Sequence, residues 1–297
     1  MREYILSFCN EFEYPDGAAA ALVECYDKIA ENQSARDIFF ENVDNFNQGV
    51  FKDKGGELDA LEPLKELCNI YTVHLLFLIC LSKQLRVLYK QHNIDYGIFY
   101  DSVCDLKYKL LECHSLHSVW GVFVAWWLVD YFYLKRFALG RLQFELSTYN
   151  DTVFEKNGYT VKNGDTVINM HIPSSGPLKS EDCLKSYIAA SEFFKDKFES
   201  GVTVFVCDSW LLNPYHKDFL PQNSNILKFQ QDFNIVRVGK DESCHDAWRV
   251  FNQPFEGNAD ILPENTSLQR AYKGWLKQGN TFYTGYGVFF FKDNKVI

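Results

Sequence analysis

The sequence predicts a two-domain α+β chain: an all-helical domain over residues 1–138, then an α/β domain with a mixed sheet over residues 139–297. Apolar residues recur at helical spacing as far as about residue 138. From residue 141 the pattern changes to strand-like alternation, with turn signals and helical stretches between the strands. A chain of 297 residues is long enough for both domains to bury a core.

Composition excludes several classes of protein. Apolar residues make up 47% of the chain and aromatic residues 16%, which excludes disorder. The net charge of −9 argues against binding nucleic acid or an anionic membrane surface, because both need a basic face. Nine cysteines, an odd number without a Cys-x-x-Cys pair, indicate reduced thiols and a cytoplasmic protein.

No targeting or membrane-spanning segment is expected. The N-terminal stretch MREYILSFCNEFEYPDG reaches acidic residues too early for a signal peptide. Two apolar stretches, Ile70–Leu81 and Val119–Leu134, contain His74 and Asp130 respectively. Both are shorter than the roughly 20 residues that span a bilayer, so both are predicted to be core helices.

The first domain is predicted to be a series of helices. Pro15-Asp16-Gly17 precede a stretch of good helix formers, and Ser34 stands at an N-cap position before the next helix. The segment KDKGG at 52–56 is predicted to be a solvated loop. Further helical patterns run over Glu57–Tyr89, from Asp95 onward, and over Val119–Phe137.

The second domain alternates strands and helices. RLQFELS at 141–147 alternates as a strand and places Arg141, Gln143 and Glu145 on one face. Asn157-Gly158 is typical of a tight hairpin turn. The remaining predicted elements are strands at 167–172, 202–212, 233–239 and 281–291 and helices at 181–194, 225–233 and 265–277.

Several long motifs resemble those of one protein family. They are LGRLQFEL at 139–146, NGDTVINMHIPSSGPLKSEDC at 163–183 and CDSWLLNPYHKDFLPQNSNILKFQQDFNIVRV at 207–238. With these motifs the chain resembles bacterial two-domain proteins that join a helical N-terminal domain to a C-terminal domain like the GNAT N-acyltransferases. The resemblance covers most of the chain. It implies a GNAT-like mixed sheet and acyl transfer from acyl-CoA or acetyl-CoA as cosubstrate, with no acceptor assigned.

The resemblance also implies where CoA binds. In a GNAT fold two neighbouring parallel strands separate, and the pantetheine arm lies between them on free backbone groups. Here these strands would be Val167–Ile172 and Val202–Cys207, with Glu181–Phe194 as the crossover helix. The residues implied to bind CoA near the strand ends are Met170, Ile172, Cys207, Asp208 and Ser209. Asp208 and Ser209 could hold either pantetheine or the acceptor, and the alternative for both is an ordinary turn.

The loop IPSSGPLKS at 172–180 is expected where the pyrophosphate of CoA binds. Two prolines without an N–H flank three consecutive donors, Ser174, Ser175 and Gly176. Lys179 adds a positive charge ahead of a helix N-terminus. The loop departs from the superfamily pattern of Arg or Gln followed by a glycine-rich turn. The alternative is a rigid turn before a helix that is capped by Ser180.

Acyl transfer to an amine needs a base for the ammonium proton, whereas an acid for the departing thiolate is optional. Glu145 is the candidate base if its face of the strand lines the cleft. His171 is a second catalytic candidate, although a lone histidine in a strand is often a core or edge residue. Tyr215 is the candidate acid, because Phe229 stands where the superfamily's tyrosine would align.

Two other groupings are weaker. Cys113, His114 and His117 have ligand-like spacing, but no second cluster completes a tetrahedral site, so no metal is expected. Cys207 beside His171 could form an acyl-enzyme, although a thiol within an apolar strand is usually just buried.

The predicted function is an N-acyltransferase that moves an acyl group from acyl-CoA to a primary amine by direct attack. The alternative is a catalytically inactive GNAT-like module that binds acyl-CoA or a protein partner. Neither nucleic acid nor membrane is expected as a partner. The acceptor, the acyl chain length, the role of the helical domain and the oligomeric state stay open.

Overall fold

The computed structural model describes residues 1–51 and 55–297. The loop predicted at 52–56 therefore falls mostly outside the described residues. The chain divides into two compact units, Met1–Phe137 and Ala138–Ile297. Helices build the first unit, and the second contains a mixed sheet with helices, which confirms the predicted fold class.

The helical unit is built around one long central helix. The elements in chain order are α1 (Arg2–Glu11), α2 (Asp16–Glu31), α3 (Gln33–Asn47), α4 (Gly56–Asp59), α5 (Ile70–Gln91), α6 (Tyr96–His117) and α7 (Ala125–Phe132). Helix α5 contacts α1, α2, α3, α6 and α7. An 18-residue window of α5 has a mean hydropathy of 1.3, enough for a membrane span by length and composition, but 61% of it is buried in the described protein. Core helices meet the same criterion, and this burial is typical of one.

Polar caps set the helix boundaries, and several differ from the predicted ones. Asn32 rather than Ser34 caps α3, because its Oδ1 accepts a hydrogen bond from the Ala35 N–H at 3.1 Å. The pattern predicted over 57–89 is broken by a 3₁₀ turn, Glu62–Glu66, and α5 begins only after Asn69, whose side chain accepts from the Tyr71 N–H. Asp95 caps α6 as predicted.

Helix α7 is much shorter than the apolar pattern over 119–137 predicts. Val122 N–H donates to Tyr71 O at 3.0 Å, which holds the segment before α7 against the start of α5. A β-carbon at Gly121 would lie 2.3 Å from Tyr71 C, so only glycine permits this approach. At the other end, Leu134 takes a positive φ of 53° and a strand begins two residues later. Tertiary contacts here override an apolar pattern that favours a longer helix.

The second unit contains one large sheet and a separate hairpin. Its elements are β1 (Arg136–Leu139), β2 (Leu142–Thr148), β3 (Phe154–Lys156), β4 (Tyr159–Val161), β5 (Thr166–His171), α8 (Ser180–Phe193), β6 (Thr203–Ser209), α9 (His216–Phe219), α10 (Asn225–Gln230), β7 (Asn234–Asp241), α11 (Ala247–Phe251), α12 (Ser267–Lys277), β8 (Phe282–Lys292) and β9 (Lys295–Val296). The strand order is β1-β2-β5-β6-β8-β7, with β9 on β8. Strands β5 and β6 are parallel, and their outer neighbours β2 and β8 pair antiparallel to them.

The two faces of the sheet are covered by different elements. On one face Tyr187 of α8 packs against Phe205 and Phe289. On the other face Val206 and Val288 join an apolar cluster with the β3–β4 hairpin, whose turn is at Asn157-Gly158 as predicted. Since side chains alternate along each strand, this assignment fixes the face of every residue near the ends of β5 and β6.

All nine cysteines are free thiols. Eight of them are buried, and only Cys104 is partly exposed. Among the described residues no group of three or more His, Cys, Asp or Glu side chains is arranged to hold a metal ion.

Candidate active site

Strands β5 and β6 form a fork. Their parallel pairing covers only two partner pairs, Ile168 with Phe205 and Asn169 with Val206. Beyond that point β5 stays paired with β2 as far as His171, and β6 stays paired with β8 as far as Ser209. Both strands therefore continue on their outer ladders after the ladder between them has ended. The fork has the form in which a pantetheine arm can lie as an additional strand.

The chain leaves β6 towards β8 rather than towards β5. Immediately after β6 a 3₁₀ turn, Trp210–Leu212, packs on β8. A β-carbon at Gly285, the partner of Ser209, would lie 2.2 Å from Leu212 O. The missing side chain at Gly285 thus lets the turn lie directly on β8, which keeps the segment after β6 out of the fork.

Two of the predicted catalytic residues lie together beside the fork. His171 Nε2 lies 2.8 Å from Glu145 Oε1, and the side chains are 14% and 19% exposed. Because a carboxylate only accepts hydrogen bonds, Nε2–H of His171 is the donor in this pair. Asn169 Nδ2 also donates to Glu145 Oε1, at 3.1 Å. The polar face predicted for the strand at 141–147 therefore faces His171 rather than bulk water.

The sequence did not single out Asn169, although a signal for it exists. Asn169 is two residues before His171 in the same strand, so alternation places both side chains on one face. It is also the direct cross-strand partner of Glu145. Its amide therefore helps to hold the Glu145 carboxylate in place.

Arg141 holds the loop that follows β5. Its Nη2 donates to Gly176 O at 2.6 Å and its Nε donates to Pro177 O at 3.1 Å. In the part of the chain that the structure describes, the N–H groups of Ser175 and Gly176 donate to no other group. A β-carbon on Gly176 would meet no heavy atom within 4 Å beyond its chain neighbours. The loop is thus fixed through its carbonyl groups, and the N–H groups of Ser175 and Gly176 stay available to an anion.

The structure corrects the predicted start of the helix after this loop. Helix α8 begins at Ser180, and Lys179 occupies the N-cap position without a side-chain hydrogen bond. Lys179 rather than the predicted Ser180 therefore stands at the N-cap position. Lys179 adds a positive charge beside the N–H groups of the first turn, where Glu181 and Asp182 are also located.

The other residues implied to bind CoA lie at the fork with different surroundings. Met170 and Cys207 are buried on the α8 side of the sheet, whereas the side chain of Asp208 points to the opposite face. Ser209 Oγ accepts a hydrogen bond from Leu211 N–H at 3.1 Å, as expected of a turn residue. Ile172 follows β5 directly.

The candidate acid Tyr215 lies away from the Glu145–His171 pair. Its ring stacks on Trp275 and approaches Tyr283 of β8 to 4.6 Å. Phe229, at the position of the superfamily's tyrosine, is buried against Phe233 and cannot donate a proton. The described contacts therefore place neither Tyr215 nor Phe229 as an acid beside the Glu145–His171 pair.

A buried histidine fixes the chain just after β6. His216 is fully buried, with Gln230 Nε2 2.9 Å from Nδ1 and Tyr272 Oη 2.5 Å from Nε2. Gln230 Nε2 donates to the carbonyls of Leu211 and Asn213. Burial lowers the pKa of His216 to about 4. The neutral imidazole is thus part of the support of the fork.

This burial predicts an acid-sensitive contribution to stability. The unfolded chain binds a proton at His216 near pH 6.5, whereas the folded protein binds it only near pH 4. The free energy of unfolding should therefore fall by up to about 3 kcal/mol more in the wild type than in His216→Gln as the pH drops across this window. Urea unfolding at several pH values measures the difference. His245→Gln, which changes an exposed histidine, should show no such difference.

Two weaker groupings from the sequence do not form sites. Burial raises the pKa of the Cys207 thiol far above its usual value, and its side chain lies on the face opposite to His171, so Cys207 is not placed to form an acyl-enzyme. His114 stacks on Trp120, and His117 contacts Tyr71 and Phe123. Both belong to the last turns of α6 rather than to a loop.

Comparison with known proteins agrees with this geometry. Residues 3–134 match the N-acyltransferase N-terminal domain, and residues 136–289 match the GNAT-like C-terminal domain. The sequence has no match among curated proteins.

Solved structures with a similar fold include acyltransferases. One, in complex with decanoyl-CoA and teicoplanin, is 20% identical with a TM-score of 0.75, and the match covers 95% of this chain and 86% of that chain. A mutant acyltransferase in complex with octanoyl-CoA is 20% identical with a TM-score of 0.74, over 96% and 87% of the two chains. At this identity the likeness shows the fold. Because the GNAT-like model alone matches more than half of the residues, the chain belongs to the two-domain acyltransferase family that joins an N-acyltransferase N-terminal domain to a GNAT-like C-terminal domain.

Proposed function

We propose that the protein transfers an acyl group from acyl-CoA to a primary amine by direct attack of the amine on the thioester. The observation that carries this proposal is the fork, where β5 and β6 stop pairing with each other while their outer ladders continue. Unpaired backbone groups on both inner edges can hold the pantetheine amides. Family membership supports the same chemistry.

The donor is proposed to lie along the fork with its pyrophosphate at the loop before α8. The N–H groups of Ser174, Ser175 and Gly176, with Lys179, are the groups proposed to face the phosphates. Met170, Ile172, Cys207 and Ser209 contribute backbone groups beside the pantetheine arm. Arg141 keeps the loop in place through two carbonyl oxygens.

The acceptor nitrogen is proposed to attack from the face that carries Glu145 and His171. An ammonium ion must first lose a proton, and the hydrogen-bonded pair is the proposed base. The nitrogen then bonds to the thioester carbonyl carbon, the carbon–sulfur bond breaks and CoA leaves as a thiolate. The second proton lost from the nitrogen as the amide forms is taken up by that thiolate or by solvent. A thiol with a pKa of about 8.5 leaves without an acid, so phenylalanine at position 229 is compatible with turnover.

Acyl-CoA should stabilise the protein, and chain length can be tested in the same experiment. A similar acyltransferase is in complex with decanoyl-CoA and another with octanoyl-CoA, so we propose a medium-chain donor and include acetyl-, octanoyl- and decanoyl-CoA. At 100 times the dissociation constant the gain is about 2.7 kcal/mol, visible as a rise in the melting temperature. If none of the three acyl-CoA compounds raises the melting temperature, the proposal is wrong.

Turnover separates an enzyme from an inactive acyl-CoA-binding module. Phenylalanine at position 229, where the superfamily has a tyrosine, is the observation that favours this second function. Free thiol released from octanoyl-CoA in the presence of a panel of primary amines supports transfer, whereas stabilisation without amine-dependent release supports the module. The free thiols of all nine cysteines are compatible with the cytoplasmic location that we also propose.

A further inference from the structure

A row of polar side chains crosses the sheet next to the fork. Asp208 of β6 is the direct partner of Tyr286 on β8, and Tyr286 is the direct partner of Arg237 on β7. Direct partners in a sheet point to the same face. The row is therefore continuous from the inner edge of the fork to β7.

This row shares its face with the proposed base. Asn169 and Val206 are partners in the last pair before the fork opens, so their side chains point to one face. His171 and Asp208 are each two residues further along, which returns both side chains to that face. They lie on opposite sides of the fork, where the thioester is proposed to bind.

A β-bulge brings Arg237 into the row. Ile235 pairs with Gly287, and the next pair is Arg237 with Tyr286, so Val236 is an extra residue in β7. Without this extra residue Arg237 would point to the opposite face of the sheet. Bulges often re-aim side chains next to active sites.

Arg237 holds the carboxylates on either side of it. Its Nε donates to Asp151 Oδ2 at 2.9 Å, its Nη2 lies 3.5 Å from Asp208 Oδ2, and its guanidinium lies over the Tyr286 ring at 5.0 Å. Asp208 keeps half of its side chain exposed, whereas Asp151 is 10% exposed. Two carboxylates share one guanidinium, which leaves one negative charge in excess. Because Arg237 lies farther from Asp208 than from Asp151, the charge of Asp208 is the less compensated of the two.

We propose that Asp208 binds the ammonium group of the acceptor and positions it across the fork from His171. This rests on the proposed transfer to an amine and names the form in which the acceptor arrives: a primary ammonium. Arg237, anchored by Asp151, fixes the direction of the Asp208 carboxylate. Burial raises the pKa of Asp208, and Arg237 offsets this only in part, so a further cation at Asp208 is favourable. Asp208 acts through positioning, since the proton is removed by the Glu145–His171 pair.

The test compares Asp208→Asn with wild type and with Asp196→Asn, which changes an exposed aspartate on the 3₁₀ turn Lys195–Lys197. The donor is octanoyl-CoA and the probes are hexylamine, benzylamine and glucosamine. In Asp208→Asn we expect the KM for amine to rise at least about tenfold, because a charged hydrogen bond is lost. Asp196→Asn should keep the wild-type KM for amine and for octanoyl-CoA, and Asp208→Glu should restore part of the amine affinity that Asp208→Asn loses.

Binding of the same ammonium ions is measured separately by ligand-observed NMR with CoA present. Weaker binding to Asp208→Asn than to wild type and Asp196→Asn supports the inference, even if no thiol is released. Equal binding to all three proteins, or no binding of any probe to wild type, would overturn it. Absence of amine-dependent release from wild type that still binds ammonium at Asp208 would instead count against the proposed transfer.

Discussion

Replacing Glu145 by Gln is expected to slow amine-dependent thiol release by a factor on the order of 10² to 10⁴, the usual contribution of a general base. The amide keeps the shape of the carboxylate but cannot accept the proton that the ammonium must lose. It also exchanges an acceptor for a donor beside His171 Nε2, which lies 2.8 Å away. Steady-state rates with octanoyl-CoA and the fastest amine of the panel measure the effect.

Controls separate this chemistry from loss of structure. Glu155→Gln makes the same change at an exposed residue of β3 and should retain the wild-type rate. His171→Gln should be as slow as Glu145→Gln, and the double variant should be no slower than either, because the two residues act as one unit. A wild-type rate in Glu145→Gln would show that Glu145 is not the base, even if the enzyme remains an acyltransferase.

Replacing Gly285 by Ala should destabilise the C-terminal unit by about 1–3 kcal/mol or more, the usual range for overpacking. The added carbon would lie 2.2 Å from Leu212 O, a backbone atom that can move only if the 3₁₀ turn after β6 lifts from β8. The same movement would displace the segment that borders the fork. Urea unfolding measures stability, and the melting shift with octanoyl-CoA should become smaller.

Gly274→Ala is the matched control for this variant. Gly274 lies within α12, and its added β-carbon would meet no heavy atom within 4 Å beyond its chain neighbours. Since glycine is unfavourable inside a helix, this change should stabilise the protein by about 0.5–1 kcal/mol. Equal stability of the two alanine variants would contradict the assigned role of the close approach at Gly285.

Strand alternation accounts for the part of the candidate site that lies on β2 and β5. It placed Glu145 on a polar face, and the same rule applied to β5 would have added Asn169 to Glu145 and His171. Arg237 could not be found in this way. The bulge at Val236 reverses the alternation of β7 from that point on, and no residue type nearby marks it.

The fork itself was expected from the family resemblance rather than from any residue pattern. It depends on where two strands stop pairing, and the approach of the turn after β6 to Gly285, which keeps that turn out of the fork, is likewise a tertiary contact. Tertiary contacts also limit the length of α7 in the first unit. The pattern over 119–137 predicts one helix, but the contact of Gly121 with the start of α5 is a property of the tertiary structure. Sequence periodicity carries no information on such contacts.

The burial of the cysteines has a practical consequence for the enzymology. A chromogenic disulfide such as Ellman's reagent reacts with thiolates, and burial raises the pKa of Cys183 to about 12 and that of Cys80 to about 12. The thiol of released CoA is exposed and should react with the dye long before these side chains do. Cys104 is partly exposed, and the contact of Cys68 with Cys25 lowers the pKa of Cys68, so exchanging both residues for Ser would give the cleanest baseline. Release of CoA can then be recorded continuously by colour with the folded protein in the assay.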